Sequence, residues 1–415
     1  MQEKIDFDYH QVLYKSKFHA MNKFKTVLLL SFVSMASSSA AIITPALPVI
    51  QKEWGLSNVE LQWIVSIFLF AYLLGQWIYG PLANRYGRIS ALRMGLILNL
   101  IGILISFISA KTGSYGWLLT GRFLTALGSA SALVCTFILL NEYFDTKNSK
   151  ALFPLVSVSF TLEIGLSIWM GGAITTYFSW STIFIALFIQ GMFALFFLRF
   201  FPETLKIPSS IHPVAILNAY AKSLRSIHLL TYSLWGGFDL AFSYSYSMIS
   251  PLLGKDWFSL SPAEYGTFSL INMAGMLLGS FMAIPLLRKY SSQRVVSLSG
   301  IGILLSALAL LIFHQTNHLS PLLFFLISGA MYVLSSFTFS AASHQASNAI
   351  SDKASASGVL NGVSLISAVL ALMLISTLPF GLFINFSIIL FGFGILGASF
   401  LALDNLVYKG MDKFE

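Results

Sequence analysis

Twelve long apolar runs dominate this sequence and constrain its fold more than any other feature. A helix needs about 20 mostly apolar residues to cross the hydrocarbon core of a bilayer. Backbone groups in lipid must be bonded within the structure, and these runs lack the alternation of barrel strands. The sequence therefore predicts an all-α membrane protein with twelve transmembrane helices. We place them near 26–48, 60–80, 91–110, 116–140, 152–176, 180–200, 229–252, 264–286, 294–314, 319–341, 357–377 and 380–403.

Composition excludes several other classes of protein. Of the 415 residues, 56% are apolar and only 10% are charged, whereas soluble domains carry about 25% charged residues. The single cysteine, Cys135, allows no internal disulfide and no cysteine zinc cluster. The seven histidines lack metal-ligand spacing, and the sequence contains no Walker loop, HExxH or GxSxG motif. We therefore expect no enzyme, no metal and no cofactor.

The basic residues predict the orientation in the membrane. When the N-terminus is placed inside, twenty of the 24 Lys and Arg residues fall in the inside loops and the two tails, as the positive-inside rule requires. An odd number of spans would destroy this agreement. Because the charges are spread between apolar runs rather than over one face, the net charge of +8 does not indicate nucleic-acid binding.

The two halves of the sequence repeat each other at an offset of 204 residues. The matches are Leu56-Ser57-x-x-Glu60 with Leu260-Ser261-x-x-Glu264, Gly75 with Gly279, and Pro81-Leu82 with Pro285-Leu286. A parallel repeat of six spans is typical of transporters, in which a small-molecule substrate binds between the halves near mid-membrane. The predicted organisation is a cytoplasmic tail 1–25, a six-helix bundle 26–200, a central cytoplasmic loop 201–228, a second bundle 229–404 and a cytoplasmic tail 405–415.

The loop between helices two and three carries the most specific motif. Its sequence, Gly80-Pro81-Leu82-Ala83-Asn84-Arg85-Tyr86-Gly87-Arg88, resembles the G-x-L-A-D-R-x-G-R-K signature of the major facilitator superfamily. The resemblance implies two six-helix bundles related by pseudo-two-fold symmetry, in which Arg85 and Arg88 anchor a cytoplasmic gate. Gly80 and Gly87 allow close backbone approach and a tight turn, and Asn84 replaces the usual Asp. Glu142 and Asp145 are candidate partners of the arginines, or else solvated loop acids.

A second motif lies in helix four. Leu119-x-x-Arg122-x-x-x-x-x-Gly128 is similar to a superfamily motif that relatives use in proton coupling. An arginine inside a span is energetically expensive and normally faces a cavity or a partner. We therefore expect a functional role for Arg122; the alternative is a snorkelling or purely structural arginine.

Shorter patches narrow the resemblance to the twelve-helix drug:proton antiporters of the Bcr/CflA group. They are Ala46-Leu47-Pro48, Leu61-Gln62-Trp63, Pro202-Glu203-Thr204-Leu205, Phe258-Ser259-Leu260-Ser261-Pro262 and Ala354-Ser355-Ala356-Ser357-Gly358. The resemblance implies a monomer in the bacterial cytoplasmic (inner) membrane that exports drugs or amphipathic metabolites in exchange for protons. Two departures leave an alternative open, which is uptake or export of a specific metabolite or siderophore. Ala41 stands where the group has an Asp in helix one, and the helix-five exporter motif is reduced to Gly171-Gly172.

Two carboxyl groups lie within predicted spans, Glu163 in helix five and Asp239 in helix seven. A buried unpaired carboxylate is costly, so each should be neutral part of the time or paired, and Arg122 is the cation available within the spans. Glu163 and Asp239 are therefore the candidate proton carriers or contacts for a cationic substrate. A carboxyl hydrogen-bonded between helices, or an anionic substrate on Arg122, remains open.

Four further residues are candidates for lining the cavity. Tyr244 and Tyr246 in helix seven and Trp169 in helix five offer aromatic surface to an amphipathic ligand, although packing or contact with membrane lipid is the ordinary role of such rings. Ser38 lies in a stretch of small residues that permits close helix approach and supplies hydroxyl groups. In relatives, helix one lines the cavity.

Overall fold

The computed structural model describes residues 23–143, 146–205, 208, 218, 221–350 and 352–411. Most of the predicted tail 1–25, Asp145, much of the middle of the loop 201–228 and the last four residues lie outside them. The described chain folds into twelve long helices, which confirms the predicted fold class. They are α1 (Lys23–Ala41), α2 (Asn58–Tyr86), α3 (Arg88–Thr112), α4 (Tyr115–Tyr143), α5 (Thr146–Tyr177), α6 (Thr182–Leu198), α7 (Ile227–Phe258), α8 (Pro262–Lys289), α9 (Ser292–Gln315), α10 (Pro321–Asn348), α11 (Lys353–Thr377) and α12 (Leu382–Met411).

Within the described residues, nine helices are long and apolar enough to cross a membrane, and the bent first helix makes ten. The two remaining helices, α6 and α7, are not among these ten, for different reasons. Helix α6 has only 17 residues, about 26 Å of helix at 1.5 Å per residue. Helix α7 has 32 residues, but its many Ser, Tyr and Gly residues make it less apolar. Most of the side chains of α7 are buried against other helices, so its surface does not have to match lipid.

The span 26–48 predicted one continuous helix, and this prediction is wrong. Helix α1 ends at Ala41, a single 3-10 turn follows at Thr44–Ala46, and a short helix continues over Leu47–Trp54. The axes of Phe24–Val33 and Met35–Trp54 differ by 43°. Pro45 and Pro48 lack the backbone N–H that a continuous helix needs. The break leaves carbonyl groups at the end of α1 for other partners.

The sequence repeat is also a structural repeat. Ser57 and Glu60 form a capping box at the start of α2, and Ser261 and Glu264 form the same box at the start of α8. Gly75 brings α2 against α4, because a Cβ atom there would lie 2.5 Å from that of Ala130. Its counterpart Gly279 brings α8 against α10 in the same way. Equivalent residues therefore form equivalent helix contacts in the N-terminal half (α1–α6) and the C-terminal half (α7–α12).

The described parts of the two halves contact each other through several pairs of elements. Helix α5 packs on α8, where a Cβ on Gly165 would lie 2.4 Å from the sulfur of Met273. Helix α11 packs on α2 near Trp77. The helix-one break meets α7, where the hydroxyl groups of Thr44 and Ser247 are 3.2 Å apart. On the outer surface, large apolar side chains such as Ile189 and Leu298 are exposed, as expected of a lipid-facing surface.

Candidate functional site between the two halves

A narrow cavity lies between α5 and the C-terminal half. Its volume is ≈ 20 Å³, room for about one water molecule. Helix α5 contributes Ile164, Gly165 and Ile168. The opposite wall comes from α7, α8 and α10 and consists of Tyr246, Ser247, Tyr265, Ser269, Asn272, Met273, Met276 and Tyr332. Aromatic rings, thioethers and neutral hydrogen-bonding groups therefore line this part of the interface.

The polar groups of this wall are bonded to one another. The side-chain amide of Asn272 donates to the hydroxyl of Tyr246 at 3.4 Å and accepts from Ser328 at 2.8 Å. The hydroxyl groups of Ser250 and Tyr265 are 2.7 Å apart. The ring of Tyr246 contacts that of Tyr332 edge to face at 5.6 Å. The polar groups of this wall therefore hold one another in fixed positions beside the aromatic rings.

Asp239 lies on the same face of α7 as the cavity residue Tyr246. The two are seven residues apart, which is about two helical turns. The Asp239 carboxyl is buried, with 4% of the residue exposed, and accepts a hydrogen bond from the hydroxyl of Ser335 on α10. Ser335 lies one turn beyond Tyr332, which lines the cavity. In the described part of the chain, Asp239 forms no ion pair.

Glu163 lies in a different place. The side-chain amide of Gln190 on α6 donates to it at 2.8 Å, and Ser38 on α1 donates to the amide oxygen of Gln190 at 2.8 Å. Gly165 faces α8, and Glu163 precedes it by two residues, about 200° around the helix. Glu163 therefore sits in a seam between α1, α5 and α6, turned away from the cavity. Ser38 belongs to this seam as well, so neither residue lines the cavity described above.

Arg122 is a fully buried arginine that binds backbone carbonyls. Its Nη1 donates to the carbonyl of Ser39 at 2.6 Å, and its Nε donates to that of Ile64 at 3.4 Å. The guanidinium also stacks over the ring of Phe68 at 4.3 Å. Ser39 lies in the last turn of α1, where carbonyls lack helical partners. Over the described residues, Arg122 pairs with neither Glu163 nor Asp239, and its place is explained by the helix-one break.

The glycine pair of helix five packs against two helices at once. A Cβ on Gly171 would lie 2.0 Å from the carbonyl oxygen of Ile42, just beyond α1. A Cβ on Gly172 would lie 2.3 Å from the carbonyl oxygen of Pro262, at the start of α8. The pair therefore lets α5 approach the helix-one break and the C-terminal half closely.

The signature loop forms a polar cluster with the ends of α4 and α6. Arg88 pairs with Glu142 at 2.8 Å, as the sequence predicted for one of the two acids, and Thr204 also donates to Glu142. Glu203 accepts from the backbone N–H groups of Arg88 and Ile89 at 2.8 and 3.1 Å and so caps α3. Gly87 has a φ of +106°, and a Cβ there would lie 2.3 Å from the Glu203 carboxylate.

Glu203 is held in its charged form by this arrangement. Partial burial alone raises the pKa of a carboxyl group, but the N–H donors of Leu205, Arg88, Thr204 and Ile89 outweigh burial and lower the pKa of Glu203. Of the other loop residues, Asn84 and Arg85 are exposed, and Arg85 lies 5.6 Å from the ring of Tyr86. A Cβ on Gly80 would meet no atom within 4 Å.

The three aromatic candidates for lining the cavity lie in different surroundings. Tyr246 lines the cavity. Tyr244 is half-buried and packs on the core of the C-terminal half. Trp169 is 43% exposed, and its neighbour Ile168 lines the cavity in its place.

Several polar residues near the candidate site could not be singled out from the sequence. Ser335, Gln190 and Tyr332 carry no charge, and nothing in the sequence separates them from other polar residues in spans.

Asp404 pairs with His228 at 2.8 Å, joining the end of α12 to the start of α7. The predicted last span stopped at residue 403, one residue short of Asp404, so this acid was not among the carboxyl groups assigned to spans. The helix in fact continues to Met411.

Comparison with known proteins decides the family. Residues 27–372 match the sequence profile of the Major Facilitator Superfamily. The chain belongs to this superfamily. It is therefore an integral membrane transporter rather than an enzyme, and the resemblance carried by the signature loop is confirmed.

Curated relatives and solved structures agree with this assignment. A bicyclomycin resistance protein homolog of Haemophilus influenzae is 22% identical over 276 residues, 64% of this chain and 68% of the relative. The quinolone resistance protein NorB of Staphylococcus aureus is 26% identical over 194 residues, 46% of this chain and 40% of NorB.

Two solved structures are similar in fold at 14% identity. An inward-facing bacterial homolog of the human lysosomal transporter Spinster has a TM-score of 0.66 over 94% of this chain and 95% of its own. A D-xylose-proton symporter has a TM-score of 0.69 over 92% of this chain and 97% of its own.

Proposed function

We propose that this superfamily member exports small amphipathic compounds in exchange for protons, with Asp239 as the proton-carrying group. It acts in the cytoplasmic membrane with both termini inside, and the bundles 26–200 and 229–404 rock about the cavity between them. The observation that carries the proposal is the buried carboxyl of Asp239, next to the cavity and without an ion pair in the described part of the chain. The drug-resistance relatives support export of such compounds.

The physics of burial supports a proton-carrying role for Asp239. A carboxylate without a cation is costly inside a membrane protein, so the buried, closed state favours the protonated group. When the halves separate and water reaches the site, the same group can ionise and release its proton. The Asp239 carboxyl lies on the face of α7 that carries the cavity residue Tyr246, so solute and proton compete for one region of the interface.

Arg122 supports this mechanism by holding helix one in place. Its hydrogen bonds to Ser39 and Ile64 tie α4 to the end of α1 and to α2. We assign it a positioning role, in which it fixes the broken first helix against the N-terminal half. The helix-one break in turn contacts α7 through Thr44 and Ser247.

A second candidate function is transport of a specific metabolite or siderophore, in either direction. Two features favour it over drug export. Helix one has Ala41, a buried apolar residue, where drug antiporters of the resembling group have an Asp, and helix five keeps only Gly171-Gly172 of the exporter motif. Substrate identity in this fold depends on the shape of the cavity rather than on a motif.

Reconstituted vesicles with a pH-sensitive dye in the lumen distinguish these functions. Solute is added outside vesicles at equal pH on both sides, using bicyclomycin, a quinolone, xylose and an iron siderophore in turn. Proton exchange makes the lumen more alkaline as solute enters, whereas symport makes it more acidic.

Protein-free vesicles correct for passive entry of weak bases. We expect alkalinisation with at least one of the two drugs. Acidification with any of these solutes, or a response confined to the siderophore, would favour the second function. Solute entry without any pH change would contradict proton coupling.

A further inference from the structure

A second cavity opens at the end of the molecule where helix one breaks and α7 turns into α8. It is a cleft of ≈ 350 Å³, which falls within the size range of small-molecule sites. Pro45 and Pro48 of the helix-one break form one wall, and Pro251 and Lys255 of α7 form the other. Since one wall comes from each half of the protein, the cleft changes shape whenever the halves move.

Tyr265 connects this cleft to the cavity described above. Its side chain lines both spaces. It is 3% exposed, and its hydroxyl is 2.7 Å from that of Ser250 on α7. The cleft and the cavity therefore lie on either side of the same buried residue.

The lining of the cleft has a distinct chemistry. Four prolines, Val49 and Leu260 supply apolar surface, and Ser259 and Ser261 supply hydroxyl groups. Lys255 is the one charged side chain in the lining, and in the described part of the chain it forms no ion pair. Such a site offers a cation and a rigid apolar surface, and its lining residues include no acid. The nearby Glu264 carboxylate accepts hydrogen bonds from the backbone N–H and the hydroxyl of Ser261.

We propose that this cleft is a second binding site, at the outer end of the solute path, for small molecules that join a carboxylate to an apolar body. The carboxylate binds Lys255, and the apolar body packs on the proline walls. Its place on the solute path rests on the proposed transport function, whereas the binding itself does not.

Two probes of equal shape test the proposal. They are 2-naphthoate, which carries a carboxylate, and 2-naphthamide, which is neutral. Binding to the full chain in zwitterionic lipid nanodiscs is measured by equilibrium dialysis, with empty nanodiscs subtracted. A partly exposed charge pair contributes up to about a fivefold gain in affinity, so we expect naphthoate to bind several-fold more tightly than naphthamide.

The variant Lys255→Gln should abolish this preference and leave naphthamide binding unchanged. Lys111→Gln is the matched control, because Lys111 is exposed at the end of α3 and does not line the cleft. Equal binding of the two probes, or a preference that survives Lys255→Gln, would overturn the proposal. So would an equal loss in both lysine variants.

The outcome is separable from that of the proposed function. The binding experiment needs neither a pH gradient nor turnover. Failure of proton exchange with an intact naphthoate preference would reject only the proposed function, and proton exchange without that preference would reject only the second site.

Discussion

Ser335 on α10 donates its hydroxyl hydrogen to the carboxyl of Asp239 on α7. This hydrogen bond holds a titratable carboxyl group in the interior of the C-terminal half. Ser335 lies one helical turn from Tyr332, which lines the cavity. The bond joins α10 to α7, so movement of either helix changes the surroundings of the carboxyl.

The Ser335→Ala variant should slow proton-coupled transport several-fold. A hydrogen bond between neutral groups contributes about 0.5–1.5 kcal/mol, and its loss frees the protonated Asp239 carboxyl to turn away from the cavity. The measurement is the initial rate of drug-induced lumen alkalinisation. Ser336→Ala is the control, because Ser336 donates to the backbone carbonyls of Met276 and Tyr332. Equal rates in the two variants would argue against a role for Ser335.

Adding a methyl group at Gly172 should destabilise the protein by about 1–3 kcal/mol, as overpacking commonly does. The new Cβ would lie 2.3 Å from the Pro262 carbonyl and push α5 away from α8. Thermal unfolding in detergent measures the effect. Gly80→Ala provides the comparison, since a Cβ there meets nothing within 4 Å. If both variants unfold at the wild-type temperature, the close approach of α5 and α8 is not as described.

The Glu203→Gln variant should lose stability in a pH-dependent way. Because the folded-state pKa of Glu203 lies below its unfolded value of about 4.3, the carboxylate stabilises the fold above that pH. The contribution is lost as the pH falls through the folded pKa. The difference in unfolding temperature between wild type and Glu203→Gln should thus be constant near neutral pH and shrink below about pH 4. A difference that does not change over this range would contradict the capping role.

The Arg122→Lys variant should lower the thermal stability although it keeps the charge. A lysine cannot reproduce the planar group that donates to the carbonyls of both Ser39 and Ile64. We expect a lower unfolding temperature together with solute exchange that is slowed yet still drives protons. Loss of proton movement with unchanged stability would instead give Arg122 a direct part in coupling.

The repeated architecture could be read from the sequence because it rests on local patterns. Span length, the distribution of Lys and Arg, and the Ser57 and Ser261 capping boxes are all visible within a few residues. The pairing of Arg88 with Glu142 could also be predicted from the sequence, because loops on the same side of the membrane lie close together.

The site was harder to predict, for physical reasons. The partners of Arg122 are backbone carbonyls, which every residue has, so only the three-dimensional course of helix one shows which of them it binds. The different surroundings of Glu163 and Asp239 depend on which face of a helix meets a neighbour. In a membrane bundle, apolar residues cover both faces, so the usual amphipathic signal is weak. The roles of Ser335 and Gln190 could not be predicted from the sequence for the same reason.

The proton-carrying role of Asp239 is tested most directly by comparing Asp239→Asn with Glu163→Gln in proteoliposomes, using a transported drug. Two quantities are measured, counterflow of labelled drug and accumulation of drug driven by an imposed pH gradient. We expect Asp239→Asn to retain counterflow and to lose gradient-driven accumulation, whereas Glu163→Gln retains both. Gradient-driven accumulation by Asp239→Asn at the wild-type level would show that Asp239 does not carry the proton.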